Sequence, residues 1–395
     1  MHIAKRTERF TESVIREMTR LADMHNAINL AQGFPDFPCP DELKVAASAA
    51  INDDINQYAI TWGASDFRSA IADKVRRSYG WRVDPERELT VTCGATEAMA
   101  AAMLATLDPG DEIIVFEPFY ENYGADAILC GAIPKYVTLH EPDWTFDEDE
   151  LRAAFGNRTR GIVLNSPHNP TGKVFTNDEL EAIAGLCQRW GVTAYTDEIY
   201  EHIVFDGRHV PMATIDGMQD RTIAINALSK TYSVTGWRVG WVIAPPPLSD
   251  AVRKVHDFLT VGAPAPLQAA GVAAMNLPSG YYDGLSAEYR VRRDVIVPML
   301  EEAGFGLHPP AGAYYVMTDI SGLTTDDDVT FARRLVVEAG VAAVPGSSFY
   351  SSSPLGRSKL RFAFPKLRAT LDAAGHRLRH GRGVQPATRS VGENQ

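Results

Sequence analysis

Between about residue 90 and residue 245, short apolar runs alternate with longer stretches in which apolar residues recur every three or four positions. The segments DEIIVFEP, RGIVLNSP, VTAYTDEIY, TIAINALS and WRVGWVIA are too short and too uniformly apolar for helices and predict buried strands. ATEAMAAAMLATL and TNDELEAIAGLCQRW predict helices, the second opened by Thr176 with Glu179 three residues on, the pattern of a capping box. Strand and helix in alternation, separated by Gly and Pro turns, predict an α/β unit with a mainly parallel sheet covered by helices on both faces. In such sheets ligands bind beyond the carboxyl ends of the strands.

The run Pro245–Pro247 closes this region, and a long helical stretch follows over about 281–303. GAYYVMTDI, VAAVPGSSF and KLRFAF then predict strands of a smaller α+β unit that ends in a helix from about Leu367 to His380. The domain reading is an N-terminal segment, residues 1–45, belonging to the small domain; a large domain over 46–280; a small domain over 281–380; and a loose tail over 381–395. No fixed-period repeat interrupts this organisation.

Charge and composition narrow the function. The 395 residues carry 38 Lys plus Arg against 50 Asp plus Glu, a formal net charge of −12, which disfavours a nucleic-acid partner needing a basic face. Cys39, Cys93, Cys130 and Cys187 stand far apart, without CxxC or a ladder of His ligands, so free thiols in a reducing compartment are expected, with no structural metal. The polar N-terminus lacks the apolar segment of a signal peptide, and no apolar run has the length of a membrane span. A cytoplasmic enzyme without membrane contact is the expectation.

The usual nucleotide and hydrolase fingerprints (GxxxxGK[ST], GxGxxG after a strand, GxSxG, HExxH) are absent. Glu201 and His202 beside Asp197 do not make a metal site, because neighbouring side chains point apart. What remains is a set of polar residues at strand ends. Lys230 follows TIAINALS, with Arg238 eight positions on; an amine held neutral by desolvation and a like charge is a nucleophile able to form a Schiff base. Alone, it reads as a surface lysine leading into a turn. Asp197 ends an interior strand, either as a cap or as the partner of a protonated ring nitrogen, with Tyr200 one turn on. Gly94, Ala95 and Thr96 form a strand-to-helix junction whose free N–H groups suit a phosphate, although such helix starts are common. Asn169 opens a Pro-Thr-Gly turn from which its amide can reach a ligand. Arg361, inside the apolar run KLRFAF, needs a carboxylate, from protein or from substrate.

Taken together, GATEA, EPFYENY, SPHNPTG, TDEIYEH and SKTYSVTGWRVGW resemble the class I/II aminotransferases, fold type I pyridoxal-phosphate enzymes. The resemblance runs from NLAQGFPDFPCP at residue 29 to KLRFAF and is nearest to the kynurenine/glutamine, methionine, aromatic and archaeal-type aspartate subgroup. It implies a mainly parallel, seven-stranded sheet in the large domain, pyridoxal 5'-phosphate as cofactor and a ping-pong transfer of the amino group from an L-α-amino acid to a 2-oxo acid. Lys230 would carry the internal aldimine and shuttle the proton, and Asp197 would keep the ring nitrogen protonated. Tyr200 and Asn169 would bond the phenolic oxygen, and Tyr120 would stack on the ring. Gly94, Ala95, Thr96, Ser229 and Arg238 would hold the phosphate. Tyr58 would reach the phosphate of a neighbouring subunit, implying a homodimer with shared sites. Arg361, with Gly33 and Asn169, would bind the substrate carboxylate.

One position departs from the family. Ala227 stands three residues before the lysine, where Ser or Gly is usual, so a phosphate contact is lost or supplied by Ser229, Thr231 or Asn226. Loss of one such contact costs on the order of 1–2 kcal/mol of cofactor affinity. The same scaffold also supports β- or γ-elimination, replacement, cyclisation and C–C bond formation, so a lyase or synthase is the alternative. A transcription regulator with an aminotransferase-like domain is disfavoured, because the resemblance starts by residue 29 and the charge is acidic. Phe34 and Trp62 join Tyr58 and Tyr120 as candidate aromatic walls, leaning toward neutral or aromatic amino acids.

Overall fold

The computed structural model describes residues 3–10 and 12–381. The chain divides into two compact units, residues 1–11, 37–288 and 311–313 in one, residues 12–36, 289–310 and 314–395 in the other. The tail expected over 381–395 lies, apart from Gly381, outside the described residues.

The larger unit is built on an eight-stranded sheet. Across it the strands run Leu89–Thr92, Gly240–Ile243, Thr222–Ala227, Thr193–Asp197, Thr159–Asn165, Glu112–Glu117, Ile133–His140 and Thr145–Phe146. The pairs from Thr222–Ala227 through Ile133–His140 are parallel. Gly240–Ile243 is antiparallel to both its neighbours. Against the seven strands expected, the eighth is a two-residue addition at the edge, where Thr145 and Phe146 turn back on His140 and Leu139. All five apolar runs singled out along this region form strands.

Alternation along each strand divides the core between the two faces of the sheet. Val242 and Ala244 pack with Ile225, Val115 and the helix Ala95–Thr106, whereas Trp241 and Ile243 pack with Phe67, Leu89 and Ala274. The helix Asn177–Trp190 starts as its sequence requires: the Thr176 hydroxyl accepts from the Glu179 N–H at 3.2 Å, and the Glu179 carboxylate accepts from the Thr176 N–H at 2.9 Å.

The smaller unit carries an antiparallel sheet in the order Gly306–Leu307, Tyr315–Asp319, Lys359–Ala363, Val344–Pro345. A separate parallel pair joins Ile28–Asn29 to Val341–Ala342. Its core includes Phe362, whose ring lies 5.3 Å from that of Phe305, which in turn meets Phe331 at 6.3 Å. The helix Arg368–His380 closes the described chain.

Two strand expectations are shortened for reasons the backbone shows. GAYYVMTDI becomes a strand only from Tyr315, because Gly312 N–H bonds the Gly172 carbonyl and Ala313 N–H that of Ile203, tying residues 311–313 to the larger unit. VAAVPGSSF splits into two-residue pieces because Val341–Ala342 and Val344–Pro345 pair with different strands.

Thr176→Ala removes one half of the capping box and is expected to cost about 1 kcal/mol of stability. The shift should appear in the denaturant midpoint, with activity per folded molecule unchanged.

Candidate active site

Strand order decides which side chains meet. Thr92, Ala227, Asp197 and Asn165 are carboxyl-terminal strand residues at one edge of the sheet, and Gly240, the first residue of the antiparallel strand, sits between Thr92 and Ala227. Lys230 and the Gly94 turn both emerge here. Residues nearly 140 positions apart thus share one edge through backbone pairing alone.

Asp197 is the electrostatic centre. It is only 6% exposed, and burial pushes its carboxyl from 3.8 up to about 6. The hydroxyl of Tyr123 donates to Oδ2 at 2.7 Å, and the Lys230 ammonium also favours the ionised form, while Glu198 opposes it. Tyr123 is itself wholly buried, and burial and the Asp197 charge push its hydroxyl well above the ordinary tyrosine range, so it remains a donor.

Asn165 joins Asp197 to the Pro-Thr-Gly turn. Its Nδ2 donates to the Asp197 carbonyl at 2.8 Å, and its Oδ1 accepts the Asn169 N–H at 2.7 Å, fixing where Asn169 begins. Lys230 is half-buried on the short helix Leu228–Thr231, its Nζ 5.9 Å from the centre of the buried Tyr200 ring. Tyr120 meets the ring of Tyr123 edge-on at 5.8 Å, which brings it to the same cluster.

The Gly94 turn forms a cup. Gly94 has φ +84°, a left-handed value suited to glycine, and a Cβ there would collide with the Arg238 guanidinium. Gly240 is equally constrained, since a Cβ would strike the backbone of Gly94 and Ala95. Arg238, also left-handed at φ 55°, is held by the Thr235 carbonyl at 3.0 Å yet stays exposed. The cup therefore combines a helix start without a side-chain cap, the exposed Thr96 and a guanidinium. Ser229 lies buried one residue before the lysine.

In the smaller unit, Arg361 is 1% exposed between the rings of Tyr315 at 4.3 Å and Phe349 at 4.8 Å. Its Nη2 donates to the Ala31 carbonyl at 2.6 Å. Gly33 lies two residues on, its carbonyl accepting from Tyr314 Oη at 2.8 Å, and a Cβ on it would collide with the Tyr315 hydroxyl. The guanidinium and the Gly33 backbone are thus assembled as one element.

Tyr58 stands apart from these groups in the single chain, 85% exposed. Among the three residues offered as substitutes for a hydroxyl at position 227, Asn226 is already engaged: its Nδ2 donates to Glu201 at 2.7 Å and its Oδ1 accepts from the Ala227 N–H. Tyr123 and Asn165 are the residues that sequence reasoning missed. Tyr123 lies inside the motif EPFYENY and Asn165 directly before SPHNPTG, but only the fold, through a helix for Tyr123 and strand register for Asn165, brings them to Asp197.

Comparison with known proteins identifies the family. The family model "Aminotransferase class I and II" matches residues 25–377. The chain belongs to that family. It is 40% identical over 381 residues to a probable N-succinyldiaminopimelate aminotransferase of Mycobacterium tuberculosis, covering 93% of this chain and 96% of the relative. It is 38% identical over 368 residues to the methionine aminotransferase of Escherichia coli, covering 93% and 95%. The solved structure of N-succinyldiaminopimelate aminotransferase from Mycobacterium tuberculosis superposes with a TM-score of 0.93, covering 96% of this chain and 99% of that one.

The protein is accordingly a pyridoxal-phosphate-dependent aminotransferase of fold type I. Its donor set fits the cofactor: the cup and Arg238 suit a phosphate, Asp197 suits a protonated ring nitrogen, and Lys230 suits an aldehyde.

In the cofactor-free protein, the folded Asp197 carboxyl titrates at about 6 against 3.8 for the ordinary group. Its folded form therefore binds the proton more tightly, and the associated stability is complete below 3.8 and lost as pH rises through about 6. Asp197→Asn removes this dependence. Relative to the variant, the wild-type apoprotein should lose on the order of 2–3 kcal/mol across that interval, read from denaturant midpoints.

Proposed function

We propose that the chain moves the amino group of an L-α-amino acid, neutral or aromatic in preference, to a 2-oxo acid, with the residues above as its machinery. The observation that carries this reading is the buried Asp197 carboxylate beside Lys230 at the sheet edge that also forms the Gly94–Arg238 cup. When bound, pyridoxal phosphate supplies an aldehyde that joins the amino acid and a cationic ring that accepts the electrons left by the departing α-proton. Asp197, oriented by Tyr123, holds the proton on the ring nitrogen. Asn169 and Tyr200 bond the phenolic oxygen, and Tyr120 covers a ring face against water. Gly94, Ala95, Thr96, Ser229 and Arg238 hold the phosphate. Lys230 would hold the aldehyde and, as the amine nearest the substrate, would take and return the α-proton. Arg361, with Gly33 and Asn169, holds the α-carboxylate.

We assign Tyr58 to the phosphate of a partner subunit, which makes the working form a homodimer. Its exposure, 85% in one chain, supports this. The cytoplasm is the proposed setting, supported by four free cysteines.

Titrating the holoenzyme with single amino acids while following its visible absorption tests the reading. An amino donor should abolish the band and a 2-oxo acid should restore it; Lys230→Ala should do neither. Arg361→Lys should raise KM for both substrates by about 10–100-fold, the value of a charge-assisted bond. A band that persists with every amino donor, or shifts to a long-lived long-wavelength absorption without conversion to the near-ultraviolet amine form, would instead favour elimination or replacement chemistry.

Shared sites make a second prediction. Mixing inactive Lys230→Ala with a weakly active Tyr58→Ala variant under subunit exchange should regenerate activity, because one site per mixed dimer then holds both native residues. No gain over the separate variants, with mixed dimers verified by mass, would count against partner-borne Tyr58.

A further inference from the structure

The loop that precedes the first helix of the large unit is tied to the smaller unit's sheet at nearly every residue. Leu30 N–H bonds the Ala342 carbonyl at 3.0 Å, and its carbonyl accepts from Ala363 N–H at 2.7 Å. The carbonyls of Ala31 and Gly33 are taken by Arg361 and Tyr314. Asp36 caps the start of the last helix, accepting from Leu367 N–H and from the Thr370 hydroxyl, each at 2.6 Å.

Between these anchors Phe34 is held by a single side chain. Lys366, three residues beyond Ala363 at the end of the Arg361 strand, donates from Nζ to the Phe34 carbonyl at 2.9 Å, with the ammonium 4.4 Å from the centre of the Phe34 ring. The residue is only 3% exposed, an unusual location for a lysine engaged by a neutral carbonyl and a ring. Burying an ammonium costs free energy that a methionine or leucine would avoid. A lysine in this place is therefore explained by what it holds.

We propose that Lys366 is a positioning residue for substrate binding: it fixes the Gly33–Phe34 peptide and the Phe34 ring, and through them the carboxylate-binding face made with Arg361. This inference rests on the assignment of Gly33 and Arg361 to the substrate carboxylate. Lys366 does not touch the reacting atoms in this scheme; it sets where the loop presents them.

Charge gives the role a readout that simple packing lacks. Burial lowers the Lys366 ammonium from 10.5 to about 8, partly offset by the Asp36 carboxylate. Arg292 also lies against this segment, its Nε donating to the Lys366 carbonyl at 3.0 Å. Loss of the Lys366 proton removes the attraction to the ring and weakens the bond to the carbonyl, so KM for amino acid and oxo acid should rise as pH passes about 8.

Steady-state kinetics of the holoenzyme with Lys366→Met, Lys366→Arg and Arg361→Lys separate the possibilities. The proposal expects Lys366→Met to raise both KM values about tenfold with kcat nearly unchanged, equivalent to loss of one such interaction. It also expects the alkaline rise in KM to vanish in Lys366→Met and to move to higher pH in Lys366→Arg, which should retain most of the affinity. Unchanged KM in Lys366→Met, while Arg361→Lys raises KM, overturns this inference and leaves the carboxylate assignment standing. Unchanged KM in Arg361→Lys overturns that assignment itself. A Lys366→Met variant with lower thermal stability, equal losses in kcat and KM terms and an unaltered alkaline limb would mark the lysine as structural only, and would also overturn the proposal.

Discussion

A carboxylate buried at the end of a central strand is the constraint around which the larger unit is arranged. Asp197 is withdrawn from water by its position between parallel strands, and that withdrawal destabilises its charged form. The fold relieves the charge only in part, with the Tyr123 hydroxyl, the Ile199 N–H and the nearby Lys230 ammonium. A cation placed against Asp197 completes the balance, and a protonated pyridine nitrogen is such a cation. Cofactor affinity and cofactor electronics thus come from the same buried charge.

The remaining parts follow from where strands end. Antiparallel Gly240–Ile243, inserted between Leu89–Thr92 and Thr222–Ala227, puts the Gly94 cup beside the segment that carries Lys230. Gly240 is required because backbone meets backbone there, and Gly94 because Arg238 fills the space that a side chain at that position would occupy. The smaller unit holds Arg361 in a similar way, buried in its strand with the guanidinium donating to the Ala31 carbonyl.

Much of this was legible from residues because the informative features are local. Apolar runs bounded by Gly and Pro marked the five strands, and the Thr176–Glu179 spacing marked a helix start that the backbone reproduces. The joint spacing of Lys230, Asp197, Asn169 and Arg238 marked the chemistry through family resemblance; singly, each has an ordinary structural explanation. What escaped depends on pairing between distant segments. Tyr123 reaches Asp197 across 74 positions, and Lys366 reaches Phe34 across 332, distances over which sequence spacing conveys no geometry. The break at residues 311–313 escaped for the same reason, since Gly172 and Ile203 claim that backbone from far upstream. Position 227 was legible as a departure, but only the Asn226–Glu201 bond shows which substitute is already occupied.

The central claim is that this sheet edge directs one particular amine to the cofactor. Borohydride reduction of the holoenzyme, followed by proteolysis and mass mapping, tests it most directly. The account predicts one phosphopyridoxyl group per chain, on Lys230. The same label recovered instead on Lys173, Lys74 or any other lysine would contradict it.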